Sequence, residues 1–173
     1  MEENNKFPKR KPNRLKKFDY SQNGAYFVTV CTQNKQCILG KIVGQGLAPA
    51  AVELSLYGKT AEKYILQLEQ RYSRIKIEKY VIMPNHIHML IFIDNSNVCA
   101  TAGASPCPTL SDVICAFKSL TAIECRKRGY QMKKFFQTSF HDHIIRDEAD
   151  YLKIWNYIDT NPAKWQEDCF YIE

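Results

Sequence analysis

The run Val81-Ile82-Met83-Pro84-Asn85-His86-Ile87-His88-Met89-Leu90-Ile91-Phe92 sets two histidines among apolar residues. Side chains alternate faces along a strand, so His86 and His88 point the same way. Their Cα atoms then lie roughly 6.6 Å apart, and both rings can converge on one metal ion or phosphate. The neighbours read as a strand buried on both faces, where an unsatisfied imidazole is costly. A metal ion answers that cost, and so do backbone or water partners; the pair alone leaves both readings open. His141 and His143 form a second pair, interrupted by Asp142 in a segment expected nearer the surface, where a polar strand end is the plainer reading.

A further reactive group comes from the helix that the sequence predicts from Asp147-Glu148 to about Thr160. Its acidic start suits a helix N-terminus, and Asn161-Pro162 stops it. Tyr151, Ile154, Trp155 and Ile158 recur at i, i+3, i+4 and i+7, the stripe of a core-facing helix. Tyr157 lies on the flank of that stripe, and Asn161 follows four residues later on the same side. A tyrosine there can offer its hydroxyl to a site beside the sheet. Asn161 can lend an amide oxygen to His86 and His88. With ten tyrosines in the chain, spacing by itself singles out Tyr157 only weakly.

The remaining elements must carry these groups. Ala25–Thr32 is strand-like, entered through Asn23-Gly24, and a second strand is expected from Cys37 to Val43. Gly44 to Pro49 reads as a loop. Apolar residues at helical spacing predict a first helix from Ser55 to about Arg71, and Arg74 to Lys79 alternates as a third strand. The histidine strand follows and runs to about Asp94. Asn95 to Pro108, rich in small residues, is expected to be a loop. Thr109 or Ser111 caps a second helix that runs through Arg128 and ends at Gly129. Phe140 to Arg146 is a short strand. This order predicts an α+β fold, a ferredoxin-like antiparallel sheet with helices packed on one face.

The chain has 173 residues, enough for one domain and an arm. Of the net charge of +6, residues 1–17 contribute +5. The sequence therefore divides into a basic N-terminal arm, 1–17, and a single domain, 18–173. Lys9, Arg10, Lys11, Arg14, Lys16 and Lys17 of the arm suit contact with nucleic-acid phosphate. Seven scattered cysteines without a Cys-x-x-Cys pair argue against a disulfide framework and a zinc ribbon. With no stretch resembling a signal peptide or a membrane span, a cytoplasmic protein without membrane contact is expected.

In these motifs the chain resembles the single-tyrosine HUH transposases of bacterial insertion sequences, particularly the REP-associated tyrosine transposases. His86-Ile87-His88 fits histidine–hydrophobic–histidine, approached through Met83-Pro84-Asn85. Tyr157 and Asn161-Pro162 match the tyrosine that stands four residues before a Gln or Asn-Pro. The segments Asp19-Tyr20-Ser21, Ala25–Thr29, Phe117–Leu120 and Phe140–Trp165 are also similar, so the likeness extends from about residue 18.

The resemblance implies metal-dependent cleavage and rejoining of single-stranded DNA. Tyr157 would attack and form a 5′-phosphotyrosine, with Mg²⁺ or Mn²⁺ held by His86, His88 and Asn161. Two imidazoles suit Mn²⁺ better than Mg²⁺. Hairpin-bearing DNA is the implied partner, with Lys118 and Arg126 on the polar side of the second helix as further DNA contacts. Monomer and homodimer both occur among such enzymes. The chain ends eight residues after Trp165, so the C-terminal extension that some members use for hairpins is not expected. The competing readings are a domesticated nucleic-acid-binding protein that does not cut, and a hydrolase using water.

Overall fold

The computed structural model describes residues 19–20, 22–44, 50–96 and 108–172. The basic arm, and most of the loop expected between Asn95 and Pro108, lie outside them.

The described residues form six strands and four α-helices. They are β1 (Gly24–Cys31), β2 (Gly40–Val43), β3 (Ala51–Leu54), α1 (Leu56–Leu66), α2 (Leu68–Arg71), β4 (Ile75–Ile82), β5 (His86–Ile93), α3 (Leu110–Lys127), β6 (His141–Ile145) and α4 (Glu148–Thr160). The main sheet has the order β4-β5-β1-β6, and every neighbouring pair is antiparallel. The expected α+β antiparallel sheet is present. A small two-stranded sheet, β2 with β3, precedes α1.

The two faces of the sheet are covered by different helices. Tyr26, Val28 and Val30 of β1 and Ile87, Met89, Ile91 and Ile93 of β5 share one face, packed with Ala61 and Ile65 of α1 and Phe117 of α3. Leu90, two residues beyond His88, belongs to the other face and meets Ile154 and Ile158 of α4. So α1 and α3 share one face, as expected of all the helices, but α4 lies on the opposite one. The physical reason is the parity of β5: His86, His88 and Leu90 need a cover of their own. Burying each isoleucine of α4 contributes about 1.5–3 kcal/mol.

Both ends of α4 are tied to strands. Asp147 caps it by accepting from Asp150 N at 2.8 Å, and Asp150 Oδ2 accepts from His143 Nε2 of β6 at 2.7 Å. Further along, Lys79 of β4 pairs with Asp159 at 2.6 Å and stands 3.9 Å over the Trp155 ring. The second histidine pair thus splits: His143 anchors the helix, and His141 stays exposed.

Other expected elements shift. β3 was not expected, β2 starts at Gly40 and not Cys37, and β4 runs on to Ile82 through a bulge between Ile77 and Lys79. The first helix divides at Gln67 into α1 and α2. Ser55 caps α1, and Gly58 within it passes so close to Leu39 that an added Cβ would collide with the Leu39 carbonyl oxygen. Leu39 N in turn donates to Pro84 O at 2.9 Å, so this crossing steadies the turn into β5. Among the described residues no helix is long and apolar enough to cross a membrane.

Candidate active site

The turn Met83-Pro84-Asn85 fixes how His86 enters the site. Asn85 is fully buried; its carbonyl accepts from Thr32 N at 2.9 Å, and its Nδ2 donates to Phe170 O at 2.8 Å. That turns Asn85 Oδ1 toward His86 Nδ1, 2.8 Å away, as an acceptor. His86 therefore carries its proton on Nδ1 and keeps a lone pair on Nε2.

His88 Nε2 lies 3.0 Å from His86 Nε2, and His88 Nδ1 lies 2.8 Å from Thr29 Oγ1. A hydroxyl both donates and accepts, so two tautomers are served. In one, His88 Nε2–H donates to His86 Nε2 while Thr29 donates to Nδ1. In the other, His88 Nδ1–H donates to Thr29, and two imidazole lone pairs converge on the same point. The second arrangement is repulsive unless a cation lies between them. Phe27 stacks on His88 with 5.0 Å between ring centroids and helps hold its plane.

Tyr157 of α4 and Asn161 at its C-cap reach this point. The Tyr157 hydroxyl is 3.3 Å from His88 Nε2, and its ring meets Phe27 edge-on at 5.9 Å. Asn161 is buried, and its Oδ1 has no hydrogen-bond partner among the described residues. Its Nδ2 donates to Asp168 Oδ2 at 2.9 Å, and the Tyr157 hydroxyl donates to the same oxygen at 3.1 Å.

Asp168 is the residue that sequence reasoning missed. It follows a 3₁₀ turn, Pro162–Glu167, where no periodicity marks a side chain's direction. Phe170 N donates to its Oδ1 at 2.6 Å, and its Oδ2 stands 3.9 Å from His86 Nε2. A single aspartate after a helix carries little signal; only its closeness to Asn161-Pro162 in sequence could have drawn attention.

Burial controls the electrostatics. It pushes the His86 imidazole down to about 4, against the opposing pull of Asp168. It also lowers His88 well below the ordinary histidine value, with His86 adding to the effect. Both rings are neutral at pH 7, the form that ligates metals. Tyr157 moves the other way: burial first, then the Asp168 carboxylate, raise its phenol above the ordinary value. Both effects favour the protonated phenol.

His86, His88 and Asp168 offer ligand atoms within 4.8 Å of one another. The orphaned Asn161 Oδ1 adds a buried oxygen with an unmet need. Two imidazole nitrogens with amide and carboxylate oxygens fit a divalent cation of intermediate softness. The structure thus brings together His86, His88, Tyr157 and Asn161. Lys118 and Arg126 stand elsewhere, on α3, and Lys9, Arg10, Lys11, Arg14, Lys16 and Lys17 lie outside the described residues.

No family model matches the chain. An uncharacterised protein of Haemophilus influenzae is 30% identical over 175 residues, covering 95% of this chain and 94% of that protein. A REP-associated tyrosine transposase, solved bound to a REP hairpin, superposes with a TM-score of 0.61 at 20% identity, over 88% of this chain and 74% of that one. A transposase-like protein from Deinococcus radiodurans gives a TM-score of 0.49 at 13% identity, over 85% and 95% of the two chains. The chain belongs to one family with the Haemophilus influenzae protein, and its fold is that of a REP-associated tyrosine transposase.

Proposed function

We propose that this protein is a transposase-like enzyme that cleaves and rejoins single-stranded DNA through Tyr157. The observation that carries the reading is the hydroxyl of Tyr157 standing 3.3 Å from His88 Nε2, which itself lies 3.0 Å from His86 Nε2. A structural tyrosine would not need two neutral histidines and a buried, unpartnered amide oxygen around it.

His86 and His88, with Asn161 and Asp168, would hold a divalent cation, Mn²⁺ or Mg²⁺. When bound, it supplies charge to polarise the scissile phosphate and to lower the phenol's pKa. The chain's own residues do the rest. Phe27 and the His88 ring fix the Tyr157 ring, and Asp168 Oδ2, which accepts from the hydroxyl at 3.1 Å, takes the phenolic proton in this reading. Tyr157 Oη forms a bond to phosphorus as the bond from phosphorus to the 3′ oxygen breaks. That oxygen takes up a proton and leaves as a free 3′-hydroxyl. The 5′-phosphotyrosine retains the phosphodiester energy, so attack by another 3′-hydroxyl rejoins a strand without a nucleotide cofactor.

The test is incubation with single-stranded, hairpin-bearing DNA from the gene's own flanks, with Mn²⁺ or Mg²⁺, followed by a denaturing gel. A slower band that needs metal and disappears in Tyr157→Phe is expected. Binding without an adduct would instead describe a non-cutting DNA-binding protein. Cleavage without an adduct would describe a hydrolase.

A further inference from the structure

Outside the site, one surface feature has the chemistry of a ligand groove. Between α3 and residues 133–138 lies an open groove of about 390 Å³, with Lys118, Arg126, Lys133 and Lys134 along its walls. Among the described residues no carboxylate lines it.

The cations here differ from five others of the fold. Lys41, Lys76, Lys79, Lys127 and Arg128 each have an acidic partner within 4.0 Å. The groove's cations are held by neutral oxygens. Lys118 Nζ donates to Gln137 O and Thr138 O at 2.6 and 2.8 Å, Arg126 to Lys133 O at 3.0 Å, and Lys134 to Thr138 Oγ1 at 3.3 Å. Those bonds orient the groups without cancelling their charge. Three oriented cations and the exposed Lys133, in a concavity that no carboxylate lines, raise the local concentration of anions.

The groove's floor segment is joined by backbone pairing to β1, the strand beside the histidine strand. Gln137 N donates to Cys31 O at 2.9 Å, and Phe136 bridges Thr32, so the floor segment continues the edge of β1. Cys31 is directly opposite His86 in the register of β1 with β5. Ile123, 48% exposed on the groove wall, adds an apolar contact of the kind a sugar or unstacked base makes.

We propose that this groove binds the phosphate backbone of the single strand flanking the cleaved bond. The proposal rests on the reading of the protein as a DNA-cleaving enzyme, and its test separates the two. Fluorescence anisotropy with a labelled single-stranded oligonucleotide, in EDTA and over a salt series, compares the chain with Lys133→Gln/Lys134→Gln. Both side chains are exposed, so the fold tolerates the change. Loss of two phosphate contacts weakens binding roughly 10–30-fold near 0.1 M salt and flattens the log–log salt slope by about 1.4. A control pair on α1, Lys59→Gln/Lys63→Gln, leaves both quantities unchanged.

Unchanged affinity and slope in the groove variant overturn the proposal, whatever the gel assay shows. A loss seen only with duplex DNA, or equally with an acidic peptide, also overturns the assignment to single strands. Groove-dependent binding by a protein that forms no adduct upholds the groove and rejects the cleavage chemistry.

Discussion

Asp168 Oδ2 accepts a hydrogen bond from the Tyr157 hydroxyl at 3.1 Å, although a helix end and a 3₁₀ turn separate the two in sequence. The same oxygen accepts from Asn161. One carboxylate therefore links the Tyr157 hydroxyl to the amide of Asn161. It also raises the phenol's pKa while no cation is present. Removing it should weaken the site as a cation holder more than it weakens the fold. Asp168→Asn is expected to lower Mn²⁺ affinity about 10–100-fold, measured by isothermal titration calorimetry. Unchanged affinity would confine Asp168 to orienting Tyr157.

The paired imidazoles should behave as one unit toward metal. His86→Ala or His88→Ala alone is expected to abolish measurable Mn²⁺ binding and metal-dependent cleavage. Electron paramagnetic resonance of free Mn²⁺ checks the first, and circular dichroism checks that the sheet persists. Cleavage retained in either variant would contradict the placement of the cation between the rings.

Thr29 should matter although it stands behind the site. Its hydroxyl meets His88 Nδ1 at 2.8 Å and can accept the proton that a ligating His88 carries there. Thr29→Val keeps the shape and removes that acceptor. The expected result is a 10–100-fold loss of Mn²⁺ affinity. Thr29→Ser should restore most of it.

The histidine pair also predicts an acid dependence of stability. Burial holds His86 near 4 and His88 below its ordinary value, whereas unfolded histidine titrates near 6.5. Below about pH 6.5 the unfolded chain binds protons that the folded chain refuses, so acid favours unfolding. In EDTA, the melting temperature is expected to fall as pH drops from about 6.5 toward about 4. The fall should be shallower in His86→Gln. Equal slopes in the two proteins would contradict a neutral buried pair.

Much of this site was legible before the structure. Strand alternation put His86 and His88 on one face, and helical spacing put Tyr157 beside the core stripe with Asn161 one turn later. Both rules act over a few residues, where backbone geometry alone determines direction. What failed depended on contacts distant in sequence. The choice of sheet face for α4 follows from β5 parity and from the ties to Lys79 and His143, none visible in the helix itself. Asp168 escaped because its direction comes from a non-repeating turn held by Phe170 N and Asn161. β3 escaped because four residues running into a helix cap offer too short an alternation to read.

The central claim is that Tyr157 becomes covalently joined to DNA, and peptide mass mapping tests it most directly. Trypsin should release Ile154–Lys164, in which Tyr157 is the only tyrosine. After incubation with metal and single-stranded DNA, then nuclease trimming, that peptide is expected to gain the mass of a 5′-linked nucleotide. An unmodified Ile154–Lys164 peptide alongside cleaved DNA, or the added mass on a different tyrosine, would contradict the account.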